Sequence, residues 1–371
     1  MRVLFFTGNV ANSGGTERVC SVLAGALAER DGYDVSILSL HGESAPFFPV
    51  PPSVHLESLF AENRQFKYYY PVVIYRLRKF MTAYRPDIVI DVETILCLYT
   101  SVALRGLDSK HVVWEHYNIG IDLGVKLRRI ARAVAVRRAD AVITLTERDA
   151  RHWRERWPSI VPVIAIPNPS PYPSLVHHGY SATSRTVLAA GHLIHRKGFD
   201  LLLQAWARVS TDVRDGWCLR IVGTGEEEQA LNDLALRLEI ARSVELPGRE
   251  REMAREYASA GLFVLSSRAE GLPMVLLEAM AFGLPAVSFD CDNGPSEIVV
   301  HQQTGLLVPP EDVDALADAI TQMLSNTQFR CYCARNAVAR ADDFAIGPIV
   351  ERWMAMFNSL LQTTACARTI G

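Results

Sequence analysis

The sequence predicts an α/β protein of two doubly wound, Rossmann-like units, and three observations carry that expectation. Short β-branched runs alternate with amphipathic helical stretches, a proline-rich segment interrupts the series midway, and a second series of the same kind follows. Such alternation is the pattern of parallel strands covered by helices on both faces. At 371 residues the chain has room for two units of ordinary size.

The first series contains the strand candidates RVLFFT (2–7), DVSILSL (34–40), DIVIDV (87–92), HVVW (111–114), AVITLT (141–146) and VPVIAI (161–166), with helical runs such as TERVCSVLAGALAER (16–30) between them. PNPSPYPS (167–174) holds four prolines in eight residues and reads as a connector, because proline interrupts helix and sheet alike. The second series is RTVLAAG (185–191), CLRIVG (218–223), SVEL (243–246), LFVLSS (262–267) and PAVSFD (285–290). In the last helix, 346–362, Ile349, Val350, Trp353, Met356, Phe357 and Leu360 recur at helical spacing. The expected organisation is therefore a first unit over 1–168, a linker over 169–180, a second unit over 181–345, and a tail over 346–371. No repeat of 20–50 residues and no low-complexity tract is present.

Composition narrows the function. A 49% hydrophobic and 21% charged chain is a soluble globular type, and a net charge of −3 argues against a nucleic-acid binder. Residues 1–165 carry 21 Lys+Arg against 17 Asp+Glu, so the basic half comes first. The seven cysteines are scattered, with no CxxC and no Cys/His cluster at zinc spacing, which fits a reducing compartment and no metal site. MRVLFFTG is too short for the apolar region of a signal peptide, and no run of about 18 apolar residues follows. The expected location is the cytosol, or the cytosolic side of a membrane.

In doubly wound units, ligands bind beyond the carboxyl ends of the strands. Three post-strand stretches carry chemistry. In NVANSGGTERV (9–19), Gly14 and Gly15 precede a helix start whose amides and dipole suit an anion, or they simply make a tight turn. In GHLIHRKGFD (191–200), Lys197 sits beside Gly198 ahead of a helix, as a point charge for phosphate oxygens or as a solvated lysine. In EGLPMVLLEAMAFGLP (270–285), Glu270 lies in a loop, Pro273 is placed to be the first helical residue, and Glu278 falls in the second turn. Eight residues at about 100° each leave the two glutamates roughly 80° apart on a continuous helix, so they do not form one acid/base face. The amides of 271–275 can hold a diphosphate, while carboxylates accept hydrogen bonds from hydroxyls. Diphosphate, ribose and a polyol are thus the three expected parts of the ligand.

These residues resemble the GT-B-fold retaining glycosyltransferases of family 4. The signature is Glu-x7-Glu, here Glu270 and Glu278, followed by AMAFGLP (279–285), GPSEIV (294–299) and TGLLVPPEDVDALADAI (304–320). NSGGTERV, GHLIHRKGFDLLLQAW, IVGTGEEEQAL and VELPG fall in the family's order, so the resemblance covers the chain. It implies two facing Rossmann-like domains with a cleft between, and a C-terminal helix crossing back to the first. The donor would be a nucleotide sugar held mostly by the second domain. Glu278 would hold its ribose and Glu270 its sugar hydroxyls. The amides of Gly271, Leu272, Pro273 (position only, as it lacks an N–H), Met274 and Val275, with Lys197, would hold the diphosphate. Main chain at Gly248 and Arg249 would contact the base. Gly14, Gly15 and Thr16 would approach phosphate and acceptor, and His116 in VVWEHYN would lie near the reacting sugar carbon. Where the family often has arginine this chain has His192, so Lys197 would carry more leaving-group charge, or Arg196 would swing in. The resemblance implies front-face attack by the acceptor hydroxyl, with Glu270 as a binder and orienter.

Other readings compete. Asp-x-Asp in FDCDNG (289–294) marks metal sites in another transferase fold, but here it follows the fifth strand of the second unit, and no metal or other cofactor is expected. IVGTGEEE lacks the third glycine of a dinucleotide motif, which leaves an NAD(P)-dependent dehydrogenase as a remote reading, and GxxxxGK[ST] is absent. A non-catalytic nucleotide-sugar binder is a further alternative, but the glutamates, the lysine and the histidine are all present, which a dead copy need not keep. VKLRRIARAVAVRR (125–138) carries Lys126, Arg128, Arg129, Arg132 and Arg137 with Leu127, Ile130 and Val134 at helical spacing. It suits docking on an anionic inner-membrane surface, or a charged outer face over core-facing Leu, Ile and Val. RDARHWRERW (148–157) adds further basic residues, and the aromatic FKYYYPVVIY (66–75) either lines the acceptor side or packs. The expected acceptor is a lipid-diphosphate-linked saccharide of bacterial surface-polysaccharide assembly. NGPSEI resembles transferases using UDP-hexoses or UDP-N-acetylhexosamines; GDP-mannose is the alternative donor.

Overall fold

The computed structural model describes residues 1–42, 45–62, 66–122, 124–158, 161–172 and 180–369. It divides into two compact units, Met1–Pro171 with Ile346–Gly371, and Tyr172–Ala345. Of the expected linker over 169–180, residues 173–179 lie outside the described residues.

Among the described residues of the first unit, β1 (Arg2–Thr7), β2 (Asp34–Ser39), β3 (Val54–Ser58), β4 (Ile88–Asp91), β5 (Lys110–Trp114), β6 (Ala141–Thr144) and β7 (Val163–Ala165) form one sheet in the order β3-β2-β1-β4-β5-β6-β7. Every pairing is parallel, with Val3 opposite Val35 on one side and Ile88 on the other. The second unit repeats the plan with β8 (Thr186–Ala190), β9 (Cys218–Val222), β10 (Val244–Gly248), β11 (Leu262–Leu265), β12 (Ala286–Phe289) and β13 (Gly305–Val308), ordered β10-β9-β8-β11-β12-β13. The inner strands IVID, AVIT, LFVL and AVSF are buried at every position, which is why they read as continuous apolar runs rather than alternating ones. In both sheets the direction of growth reverses beside the first strand, between β1 and β4 and between β8 and β11. Crevices at the carboxyl ends of those pairs are where this topology leaves room for a ligand.

Two edge strands depart from the expected list. In β3, VHLES alternates between covered and open positions and has no apolar run to betray it. In β13, GLLV spans four residues and begins with a glycine, which signals a turn as readily as a strand. The C-terminal helix Ile346–Thr369 belongs to the first unit and buries Ile349, Val350, Trp353, Met356 and Phe357. Trp353 meets Trp114 edge-on at 4.9 Å between ring centroids, and Arg352 donates to the Ala165 carbonyl at 2.5 Å. No helix among the described residues is long and apolar enough to cross a membrane.

Candidate functional site

The second unit gathers its charged side chains at the β8/β11 switch. After β8 the chain makes a short 3-10 turn, His195–Lys197, and starts the helix Phe199–Arg208 through Gly198. Gly198 has φ +63°, and a Cβ there would stand 2.1 Å from the Ser266 carbonyl oxygen, so only glycine lets this loop lie against the one after β11. The two loops are tied by Ser266 Oγ donating to Lys197 O at 3.1 Å and by Arg268 N donating to Arg196 O at 2.9 Å. Arg268 also forks onto Asp200 at 2.8 and 2.7 Å.

This lock sets Lys197 against Glu270. Lys197 Nζ donates to Glu270 Oε1 at 2.6 Å, Ser267 Oγ donates to the same oxygen at 2.6 Å, and Arg196 Nη1 lies 3.5 Å from Oε2. Glu270 is only 5% exposed. Burial pushes its pKa up, but the charge and hydrogen bond of Lys197, helped by Ser267 and Arg196, outweigh that and hold it below the usual carboxylate range. The carboxylate is therefore charged, and the pair compensates its own burial. Arg196, rather than His192, stands beside Glu270; His192 is exposed.

The helix Met274–Ala281 begins four residues beyond Glu270. Pro273 is its N-cap in extended conformation rather than its first helical residue, and no side chain caps this start. A helix start without a capping side chain is a place where backbone amides can meet an anion, and Gly271 to Val275 lead into it. Glu278, one turn further on, is buried and accepts a 2.7 Å hydrogen bond at Oε2 from Tyr257. Gly248 closes β10 and Arg249 follows it at the same edge of the sheet, exposed. Asp290, at the end of β12, keeps Oδ1 buried without a hydrogen-bond partner, whereas Asp292 is exposed. Ser267 and Tyr257 were missed in the sequence. The hydroxyl three residues before Glu270 is a usable signal for Ser267; Tyr257 leaves none, because only the fold brings it to Glu278.

In the first unit, Gly14 is the N-cap of the helix Gly15–Ala28, again with no capping side chain. The Glu17 carboxylate lies over it, since a Cβ on Gly14 would come within 2.3 Å of Glu17 Oε2, while Gly15 is open. An anion approaching Gly14, Gly15 or Thr16 must displace this carboxylate. His116 follows β5, buried against Trp114 at 4.4 Å between ring centroids, with Nε2 unpartnered. Burial, then the charge of Arg128, push its pKa down to about 3, so it works as a neutral imidazole.

The helix Lys126–Arg138 corrects the sequence reading. Arg128 and Arg132 are not outward-facing membrane contacts: they are 6% and 2% exposed, and both turn inward to Glu115, itself fully buried at the end of β5. Leu127 and Ile130, which the alternative of a charged outer face placed in the core, are 36% and 54% exposed. A buried carboxylate demands cations, and that demand fixes which face of the helix points in. Lys126, Arg129 and Arg137 remain exposed, Arg129 in a pair with Asp122. Of the aromatic stretch, Tyr69 and Tyr70 pack on the first-unit core, where Tyr70 donates to Leu98 O at 2.7 Å, whereas Tyr75 is exposed and the side chains of 66–68 lie outside the described residues.

Two doubly wound parallel units, one carrying a paired Lys–Glu and a second buried glutamate around an uncapped helix start, define the GT-B class of glycosyltransferases. Residues 161–340 match the family model "Glycosyl transferases group 1" and residues 13–170 match "Glycosyltransferase Family 4". The chain is 33% identical over 354 residues to an uncharacterized glycosyltransferase of Haemophilus influenzae, covering 95% of this chain and 98% of that one. The protein belongs to this glycosyltransferase family. It is also 29% identical, over 96% of its length and 98% of the relative's, to a Campylobacter jejuni α-1,4-N-acetyl-D-galactosaminyltransferase named for a diphosphoundecaprenol-linked acceptor. In fold it is similar to Anabaena HepE, solved in complex with UDP, with a TM-score of 0.77 and 18% identity over 97% of this chain and 100% of that one.

Proposed function

We propose that the protein transfers a hexose or N-acetylhexosamine from a UDP-sugar, with retention at the anomeric carbon, to a hydroxyl of a lipid-diphosphate-linked saccharide in bacterial surface-polysaccharide assembly. The observation that carries this reading is the Lys197–Glu270–Arg196 cluster at the β8/β11 switch, beside the helix start that leads to Glu278. Lys197 and Arg196, with the amides of Gly271, Leu272, Met274 and Val275, stabilise the diphosphate as the bond to the anomeric carbon breaks. Lys197 turns from Glu270 to a phosphate oxygen, and Glu270 then accepts from donor-sugar hydroxyls, orienting the ring. The acceptor oxygen bonds to the anomeric carbon on the face the diphosphate leaves, and its proton passes to the leaving phosphate oxygen. This charge set serves the leaving group with no metal ion. Glu278, oriented by Tyr257, reads the ribose. His116, neutral, can donate or accept a hydrogen bond at a sugar hydroxyl but carries no charge there. The C. jejuni relative's acceptor supports a lipid-linked saccharide, and the UDP held by HepE supports the donor base.

The experiment is a donor screen, scored by thermal shift and by release of nucleoside diphosphate from UDP-, GDP- and ADP-sugars. A response to UDP-hexoses or UDP-N-acetylhexosamines is expected; a response confined to GDP-sugars overturns the donor.

We further place the protein on the cytoplasmic face of the membrane. Leu127 and Ile130 are exposed on one side of the Lys126–Arg138 helix, with Val125 exposed at its N-cap and Lys126, Arg129 and Arg137 exposed on the same helix. Apolar side chains enter the headgroup boundary while each basic neighbour contributes about 1 kcal/mol at an anionic surface. Vesicles containing phosphatidylglycerol should sediment the protein more strongly than neutral vesicles, and Ile130→Asp should weaken this. Equal binding to both vesicle types contradicts the electrostatic part.

A further inference from the structure

Arg128 and Arg132 lie four residues apart on one helix, both enclosed and both facing Glu115, yet their bonding differs completely. Arg132 is saturated: Nε donates to Glu115 Oε2 at 2.7 Å, Nη1 to Ile119 O at 2.7 Å, and Nη2 to Asn118 O at 3.0 Å and Ile121 O at 2.9 Å. It is a structural clamp on the loop that carries His116. Arg128 makes no hydrogen bond from its guanidinium to any described residue. Its Nη1 lies 3.8 Å from Glu115 Oε1, beyond hydrogen-bond range, its Cζ sits over the Tyr117 ring at 4.3 Å, and Nε and Nη1 are buried without partners. Glu115 does not need it, because Arg132, Thr94 Oγ1 (2.8 Å) and the Tyr117 amide (3.0 Å) already satisfy that carboxylate.

A desolvated guanidinium with no hydrogen bonds is costly to keep, and such groups persist where a ligand completes them. Two other polar groups of the first unit stand in the same electrostatic neighbourhood. His116 Nε2 is buried and unpartnered, and His116 lies in the chain between Glu115 and Tyr117, the two residues that Arg128 faces. Glu93 follows β4 at the β1/β4 switch, next to Thr94, whose Oγ1 donates to the same Glu115 carboxylate that Arg128 faces, and the charge of Arg128 acts on it. Its carboxyl makes no hydrogen bond to a described residue.

We propose that Arg128, Glu93 and His116 form a subsite for the hydroxyl groups of a neutral sugar, the acceptor saccharide of the reading above, on which this inference rests. The polarity of the set selects hydroxyls over phosphate. Arg128 donates, Glu93 accepts and neutral His116 does either, which matches a run of ring hydroxyls that each both donate and accept. Glu115 already lies 3.8 Å from the Arg128 guanidinium and Glu93 carries a second carboxylate nearby, and both oppose a phosphate there. Arg128 thereby becomes a substrate-contact residue.

Arg128→Met keeps the length and apolar stem over Tyr117 and removes the donors. The test measures binding of UDP, inorganic pyrophosphate and a panel of methyl and octyl hexosides and N-acetylhexosaminides to native protein, Arg128→Met and Glu93→Gln, together with melting temperature. The native protein should bind at least one glycoside, and both variants should bind it about tenfold or more weakly. UDP and pyrophosphate affinities should stay within about twofold, and Arg128→Met should melt within about 2 °C of native, because no hydrogen bond is lost. A large fall in melting temperature makes Arg128 structural and overturns the inference. So does weakened pyrophosphate or UDP binding, which assigns the guanidinium to phosphate, or a native protein that binds no glycoside. Failure of UDP to bind the native protein sinks the donor reading instead, and leaves the glycoside result to be read by itself.

Discussion

Replacing Glu270 with glutamine is expected to cut sugar transfer about 100-fold or more while the protein stays folded. Glutamine preserves the shape and an Oε1 that can still accept from Lys197 and Ser267, now 2.6 Å from the carboxylate oxygen. What disappears is the negative charge that Arg196 and Lys197 share, and with it the strong acceptor for donor-sugar hydroxyls. Because orientation at the anomeric carbon is where this residue acts, the loss should appear mainly in kcat rather than in donor KM. Glu270→Ala goes further, since it also leaves a mostly buried Lys197 without its anion. It should lower melting temperature as well as turnover. Steady-state kinetics with saturating donor, beside circular dichroism of each variant, separates the two effects. Near-native turnover in Glu270→Gln refutes the role assigned to this carboxylate.

The second large effect falls on stability. Arg132→Met removes four hydrogen bonds at once and leaves the 1%-exposed Glu115 without its close cation. Breaking a buried pair from one side costs about 3–5 kcal/mol. For a unit of this size that corresponds to a fall in melting temperature on the order of 10 °C, measurable by differential scanning calorimetry. The carbonyls of Asn118, Ile119 and Ile121 each lose the Arg132 donor in the same step, so the His116 loop should loosen and amide exchange over 115–121 should accelerate. An unchanged melting profile means that the clamp contributes nothing to the fold.

The two neighbouring arginines show where sequence reading stops. Helical spacing establishes that Leu127, Ile130 and Val134 share one side and Arg128 and Arg132 another. It does not say which side faces the core. Hydropathy points the apolar side inward; Glu115, more than ten residues earlier, reverses the choice because its carboxylate is buried at a strand end. That information lies in the pairing of β4, β5 and β6, not in the helix itself. The sheets were legible for the opposite reason: a strand covered on both faces needs apolar residues at every position, and IVID, AVIT and LFVL announce it locally. The half-open VHLES and the four-residue GLLV do not. In the second unit, Lys197, Glu270 and Glu278 could be picked out because strand ends and a helix start mark their places. Ser267 and Tyr257, which orient the two glutamates, became visible only in three dimensions.

In the proposed mode of binding, the second unit holds a nucleotide sugar through the helix start of 274–281 and the carboxylate of Glu278. Calorimetric titration of UDP into the native and the Glu278→Ala proteins tests it most directly. Native protein should bind UDP, and the variant should lose about tenfold or more in affinity, the worth of one hydrogen bond to a charged group. Equal UDP affinity in the two proteins would contradict the account.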